Sequence, residues 1–298
     1  GYHQWTHASR EKLILTRATY TVPRSNRHQY SMSDLLFDSF GGLFGDPQNA
    51  HGDVDNPFVY TWPEQQENDD SSHKYSHNPI NKDIELTLAN SETDLMAHHV
   101  WEAAIQLSNL IIQGTINVKE KYVIELGAGA ALPSIVSAIA DATLVLATDY
   151  DSKSIVDNML KNIERNIKQY RNIKSLGFTW GVTPAEKILE LSNNNRFDCI
   201  LLADTLWLGD QHIALLDTLN DIINEDCGVI YLTYQHHNEH APSFFEIATT
   251  NVKYNYEVIN TTKIPWGGKT LEDFLETEND EEMYGPVLFT TMRKKKTG

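Results

Sequence analysis

The stretch VIELGAGAALPSIV, residues 123–136, constrains the fold more than any other part of the chain. An apolar run ends at Gly127 and Gly129, and proline then stands near the start of a helical pattern. That order describes a buried strand entering a tight turn that opens a helix. Similar alternation fills the rest of the sequence. KYVIEL reads as a strand, LPSIVSAIA as a helix, ATLVLATD as a strand and DSKSIVDNMLKNIERNIKQY as a long helix. IKSLGFTWG and FDCILLAD read as strands, DQHIALLDTLNDII as a helix, GVIYLTYQ as a strand and SFFEIATTN as a helix. YNYEVINTTKI and GPVLFTTMRK close the chain as two β-rich runs joined by a loop, which predicts an antiparallel C-terminal edge. Repeated βα units predict an α/β, Rossmann-like fold: seven mostly parallel strands with helices on both faces. Ahead of this block, DIELTLA reads as a strand, and a helix is predicted from about Thr93, with Met96, Val100, Ala103, Ala104, Leu107 and Ile111 on one face.

The glycine turn has the context of a nucleotide site, and Asp149 follows Gly127 by 22 positions at the next strand end. A carboxylate there accepts both ribose hydroxyls of a nucleotide. Two details separate a dinucleotide from S-adenosyl-L-methionine. Glu125 precedes the first glycine by two residues, where a carboxylate repels a pyrophosphate seated at the helix N-terminus and favours a sulfonium or ammonium. Leu132 stands at the third glycine position of the dinucleotide pattern. The expected cofactor is therefore S-adenosyl-L-methionine.

The formal net charge of −17 argues against direct nucleic-acid binding and suits a cationic cofactor or a basic protein partner. No apolar run is long enough to span a bilayer, so no membrane association is expected. Cys199 and Cys227 form no metal-ligand spacing; Cys199 reads as an inert core thiol, and the pair fits a reducing, cytoplasmic setting. No metal site is expected. Residues 1–31 hold five Lys/Arg against one Glu, which reads as leader or appended sequence before a native start at Met32, with a basic transit peptide as the alternative. Residues 32–83 read as a partly disordered N-terminal arm, and 84–298 as the single α/β domain, which binds the cofactor.

Over residues 84–293 the chain resembles the seven-β-strand methyltransferases of family 16, which includes many lysine methyltransferases. The resemblance rests on HHVWEAA (98–104), IELGAGAALPS, ATDYD, TWG (179–181) and LLADTLW (201–207). It implies that Trp101 lies beside the cofactor, that Glu125, Gly127, Ala128, Gly129, Asp149 and Tyr150 hold it, that Trp180 flanks its adenine, and that Ala203 offers backbone and small size next to it. LLADTLW matches the family's Asp-x-x-aromatic signature, with Trp207 where Tyr or Phe is usual. LTYQHH (232–237), TENDEEMYGPVLF (277–289) and HGDVDNPFVYT (51–61) resemble a fungal, nicotinamide N-methyltransferase-like branch that includes an enzyme methylating the N-terminal Gly and adjacent Lys of elongation factor 1-alpha. A basic protein substrate, elongation factor 1-alpha first, is thus implied, with nicotinamide or a related pyridine as the alternative acceptor.

Methyl transfer to nitrogen needs alignment and removal of the amine proton. Asp204, at a parallel-strand C-terminus, is the candidate to orient the amine, and Tyr234 or His236 would stand near the proton's exit. The other reading of Asp204 is a cap for the following helix. The acidic stretch ETENDEE (276–282) reads either as a recruiting surface for a basic substrate or as a solvated loop.

Overall fold

The order in which the strands lie, rather than their number, creates the site. The computed structural model describes residues 50–52, 55–62, 83–89, 97–167, 172–235, 240–276 and 285–296. Its main sheet contains β5 (Tyr122–Leu126), β6 (Leu144–Asp149), β7 (Ile173–Gly177), β8 (Cys199–Ala203), β9 (Val229–Tyr234), β10 (Tyr256–Ile264) and β11 (Val287–Lys294), in the spatial order β10-β11-β9-β8-β5-β6-β7. The chain winds outward from β5 to β6 and β7, then returns to place β8 on the other flank of β5. Winding reverses between β5 and β8, and the crevice beyond the strand ends at such a reversal is where open α/β sheets bind ligands. β11 runs antiparallel to both β9 and β10, so the expected antiparallel edge is a strand slotted between two that share a direction.

The central strands read as unbroken apolar runs because they are buried on both faces. Val123, Val145, Cys199 and Leu201 pack to one side against α1 (Glu102–Ile112), α2 (Leu132–Ile139) and α3 (Lys153–Asn166). Ile124, Leu146, Ile200 and Leu202 pack to the other, against α4 (Glu186–Leu191), α5 (His212–Ile222) and α6 (Ala241–Thr250). Successive residues alternate between the faces, as a pleated strand requires. Burial pushes the Cys199 thiol up to about 12, which fits an inert core cysteine.

Several expectations change at the N-terminal side. The helix expected from about Thr93 begins at Glu102 instead. Val100 and Trp101 form β4, paired with β1 (Ala50–His51), so Val100 is not on the helix. Arm contacts impose this: His51 Nε2 lies 2.8 Å from Glu102, and His99 Nδ1 lies 2.9 Å from the Gly52 carbonyl. Met96 lies outside the described residues, as do residues 1–31 and much of 32–83. DIELTLA does form a strand, β3 (Asp83–Leu86), but it pairs with β2 (Phe58–Thr61) in a separate ribbon. The C-terminal loop also carries a short helix, α7 (Leu271–Glu276). Asp273 accepts the Thr270 N–H at 2.5 Å and Thr270 Oγ1 accepts the Asp273 N–H at 3.2 Å, a capping box with Asp in place of Glu.

The ribbon is fastened to α3 by a ladder of amides. Asn158, Asn162 and Asn166 recur at four-residue spacing, which puts them on one helix face. Asn166 exchanges two hydrogen bonds with the Glu85 backbone, and Asn158 donates to the Thr87 carbonyl. Asn162 is fully buried and uses all its bonding capacity. Its oxygen accepts from Thr87 N and Oγ1, and its nitrogen donates to the carbonyls of Thr87 and Ala130. Ala130 belongs to the glycine turn, so one amide joins arm, helix and turn. Replacing Asn162 by Ala leaves several buried backbone groups without partners. It is expected to lower the unfolding free energy by about 3 kcal/mol, measured by urea denaturation.

Candidate active site

The glycine turn is shaped by backbone bonds to β6. Gly127 and Ala128 both donate to the Thr148 carbonyl at 2.9 Å, while Thr148 Oγ1 donates to the Glu125 carbonyl at 2.7 Å. Gly127 has φ +75°, and a Cβ placed on it would stand 2.8 Å from Thr205 Cγ2, so a side chain is excluded by conformation and by space. A Cβ on Gly129 would meet nothing within 4 Å, so the turn is open on that side. Ala131, left-handed at φ +67°, then starts α2.

Glu125 lies under this turn, 1% exposed. Its Oε2 accepts the Ser134 N–H at 2.9 Å and the Ser134 hydroxyl at 2.5 Å. Pro133 has no N–H, and Ile135 N–H already bonds the Ala131 carbonyl. Of the first four positions of α2, only Leu132 still offers an N–H. A pyrophosphate needs several at once. Hydrogen-bond capacity therefore disfavours a dinucleotide as well, beside the charge argument made from sequence. Charge contributes less than expected, because burial pushes the Glu125 carboxyl up to about 8, against the pull of its Ser134 bonds and aided by nearby Asp149.

Asp149 ends β6. Its Oδ2 accepts the Gly129 N–H and its Oδ1 the Tyr150 N–H, both at 2.7 Å. Burial holds this carboxyl above its ordinary range, with the two N–H bonds opposing. Two further acceptor positions remain on the carboxylate, enough for a vicinal diol. Tyr150 beside it is half exposed. Trp180 is half-buried, on a turn held by the Phe178 N–H bonded to the Asp149 carbonyl, and its Cζ2 lies 3.8 Å from where a Cβ on Gly127 would stand.

Across the crevice, Ala203 ends β8 and Asp204 adopts φ +52°. Left-handed backbone in a non-glycine residue is uncommon and concentrates at functional turns. The Asp204 N–H bonds the Thr233 carbonyl at 2.8 Å. Asp204 does not cap the next helix, since α5 begins only at His212 after a 3₁₀ turn at Gly209–Gln211. Thr233 also donates its hydroxyl to the Ala103 carbonyl at 2.8 Å, which fixes the start of α1 and thereby Trp101 to the same strand end. Trp101 is half-buried and edge-on to His99.

Tyr234 is placed differently from expectation. It is 6% exposed, packs with the apolar cluster of Phe244 and Leu232, and its hydroxyl lies 3.4 Å from Thr290 Oγ1 on β11. Strand alternation puts it on the face packed by α5 and α6, opposite Thr233, which faces α1. His236 and His237 lie outside the described residues, as does most of 276–282. Among the described residues no three His, Cys, Asp or Glu side chains group as a metal site, and no helix is long and apolar enough to cross a membrane. Ser134, Thr233, Asn162 and Thr205 escaped the sequence reading; the LPS after the glycines and the asparagines every fourth residue were the available signals.

Residues 80–251 match the family described as lysine methyltransferase. The chain belongs to the lysine methyltransferase family. A Schizosaccharomyces pombe protein named protein N-terminal and lysine N-methyltransferase is 36% identical over 178 residues, covering 56% of this chain and 68% of that one. Proteins of the same name from Neurospora crassa and Kluyveromyces lactis are each 29% identical, covering 70% and 65% of this chain and 74% and 76% of theirs. The methyltransferase uses S-adenosyl-L-methionine. The site fits that group on three counts: a turn open at Gly129, a carboxylate with acceptors to spare at Asp149, and a helix N-terminus with few N–H groups left for a phosphate.

The buried Glu125 gives a pH test. A carboxyl at about 8 when folded and near 4.5 when unfolded binds its proton more tightly in the native state. Its contribution is therefore present below about 4.5 and lost as pH rises to about 8. Glu125→Gln mimics the protonated acid and lacks this loss. Urea unfolding of both proteins is expected to show the variant gaining on the native enzyme as pH rises through this window; a constant gap would place the carboxyl in its ordinary range.

Proposed function

We propose that this methyltransferase modifies a protein amine, a lysine Nζ and/or an N-terminal α-amine, with elongation factor 1-alpha as its leading substrate in the cytoplasm. Residues 84–298 form the catalytic domain in this reading, with 32–83 as an arm. The observation that supports it most is the left-handed Asp204 turn facing the glycine turn across the β5/β8 reversal, in a chain of the lysine methyltransferase family. The printed names of the fungal relatives favour a protein amine over a pyridine. The elongation factor is favoured by the resemblance of 51–61, 232–237 and 277–289 to the branch that includes an enzyme methylating it. The chain's own net charge of −17 suits a basic partner.

S-adenosyl-L-methionine supplies an electrophilic methyl group on a sulfonium. The backbone of Gly127, Ala128 and Gly129 would form the floor for it, Glu125 would answer positive charge from beneath, and Asp149 would take the ribose hydroxyls. Trp101, Tyr150 and Trp180 would wall the site, and Ala203 would leave room beside the acceptor. Asp204 orients the incoming amine by accepting its N–H and favours loss of its proton. A lysine, with a pKa of about 10.4, needs this help more than an α-amine at about 7.7–8.0. His236, two positions after Tyr234 in the sequence, is the candidate for the proton's exit. Tyr234 lies on the face packed by α5 and α6 and is the weaker candidate for that role.

Three measurements test the reading. Incubation with labelled S-adenosyl-L-methionine and an extract from a strain lacking the enzyme should label one protein band at the elongation factor's size; label confined to small molecules overturns the protein-substrate assignment. Asp204→Ala should lower kcat by about 100-fold or more while S-adenosylhomocysteine affinity stays within about twofold. Asp149→Ala should weaken that affinity by about 10- to 100-fold, read by calorimetry.

A further inference from the structure

The reversal between β5 and β8 divides the strand ends of the sheet. The residues assigned to the cofactor, Gly127, Asp149 and Trp180, follow or end β5, β6 and β7. The ends of β8 and β9 and the start of β11 are left for the acceptor. Gln235 stands there, directly after β9, and is 2% exposed. Its Nε2 donates to the Gly285 carbonyl at 2.8 Å, and Trp266 Nε1 donates to the same oxygen at 3.0 Å. A carbonyl has two lone pairs, so it serves both donors. One atom thus joins the end of β9, the turn after β10 and the chain leading into β11. The Trp266 ring also packs on Phe274 of α7, with centroids 6.0 Å apart, and stays half-buried. Strand register fixes where this clamp lies. Ala203 pairs with Thr233 and Thr233 with Phe289, so β11 runs two strand spacings, about 10 Å, from the strand that Asp204 follows.

We propose that Gln235 is a positioning residue for the protein acceptor: through the Gly285 carbonyl it fixes Trp266 as a wall against which the acceptor chain packs. The inference rests on the protein-amine reading above and deepens it. An extended chain advances about 3.3 Å per residue, so a peptide whose amine lies at Asp204 reaches β11 in about three residues. An indole suits such a chain, since its face takes aliphatic stems and attracts the ammonium groups of a basic segment. A pyridine is too small to span that distance and gains nothing from the wall.

The test uses the full chain with Gln235→Met, which keeps the length and drops the N–H, and Trp266→Leu, which removes the indole. The acceptor is the protein that the native enzyme labels in the extract, elongation factor 1-alpha in the reading above. Both variants are expected to raise KM for that protein about 5- to 10-fold, with kcat and S-adenosylhomocysteine affinity within about twofold of native. Should Gln235→Met not fold, Trp266→Phe, which keeps a ring and drops only the N–H to the same carbonyl, takes its place. A residue that merely braces the sheet edge would lower the unfolding temperature and leave KM alone. Unchanged KM in either folded variant therefore overturns the proposal. A matching loss of S-adenosylhomocysteine affinity overturns it as well, moving the clamp's role to the cofactor side. Native enzyme that labels only small molecules would instead overturn the underlying protein-amine reading.

Discussion

A carboxylate buried beneath its own glycine turn decides what that turn can hold. Glu125 takes the N–H and hydroxyl of Ser134, Pro133 contributes no N–H, and the opening turn of α2 is left with little to offer an anion. A phosphate-bearing ligand loses its usual seat, while the backbone of Gly127–Gly129 stays open above. Selection here comes mainly from hydrogen bonds already made. The acid itself is held largely neutral near pH 7 by burial, so its charge becomes available only when something positive arrives beside it.

Around this turn, a few hydroxyl-bearing residues fix the distances between the elements that frame the crevice. Thr148 locks β5 to β6 beneath Gly127. Thr233 holds the Asp204 turn through its carbonyl and the start of α1 through its side chain. Both are at most 1% exposed and sit at strand ends, where the sheet is stiff. Groups held this way need little reorganisation when a ligand arrives, and low reorganisation is what catalysis by positioning requires.

The central strands and most helices were readable because their burial on two faces is written as apolar runs and four-residue spacing. The glycine turn and Asp149 were readable for a similar reason: their geometry is local. What escaped the sequence depends on partners distant along the chain. Trp101 sits at the end of an apolar helical pattern, and only the pairing of Ala50 and His51 with Val100 and Trp101 shows that it is strand. Tyr234 reads as a site residue from sequence, while Thr233 drew no reading. Pleat direction sets Tyr234 with Ile230 and Leu232 and turns Thr233 toward α1, a direction in principle legible from the alternation. The role of Ser134 needed the buried Glu125 nine residues earlier to turn toward it.

The amide ladder of Asn158, Asn162 and Asn166 grips the β2–β3 ribbon mainly through peptide groups, with the Thr87 hydroxyl the one side chain it also holds. A fastening that reads peptide groups is blind to which side chains the ribbon displays outward. Evolution can rewrite the ribbon's solvent face, and with it any surface met by a partner, without loosening its attachment. The asparagines enjoy no such latitude, since shortening or lengthening any of them by one methylene would lift the strand off its rung.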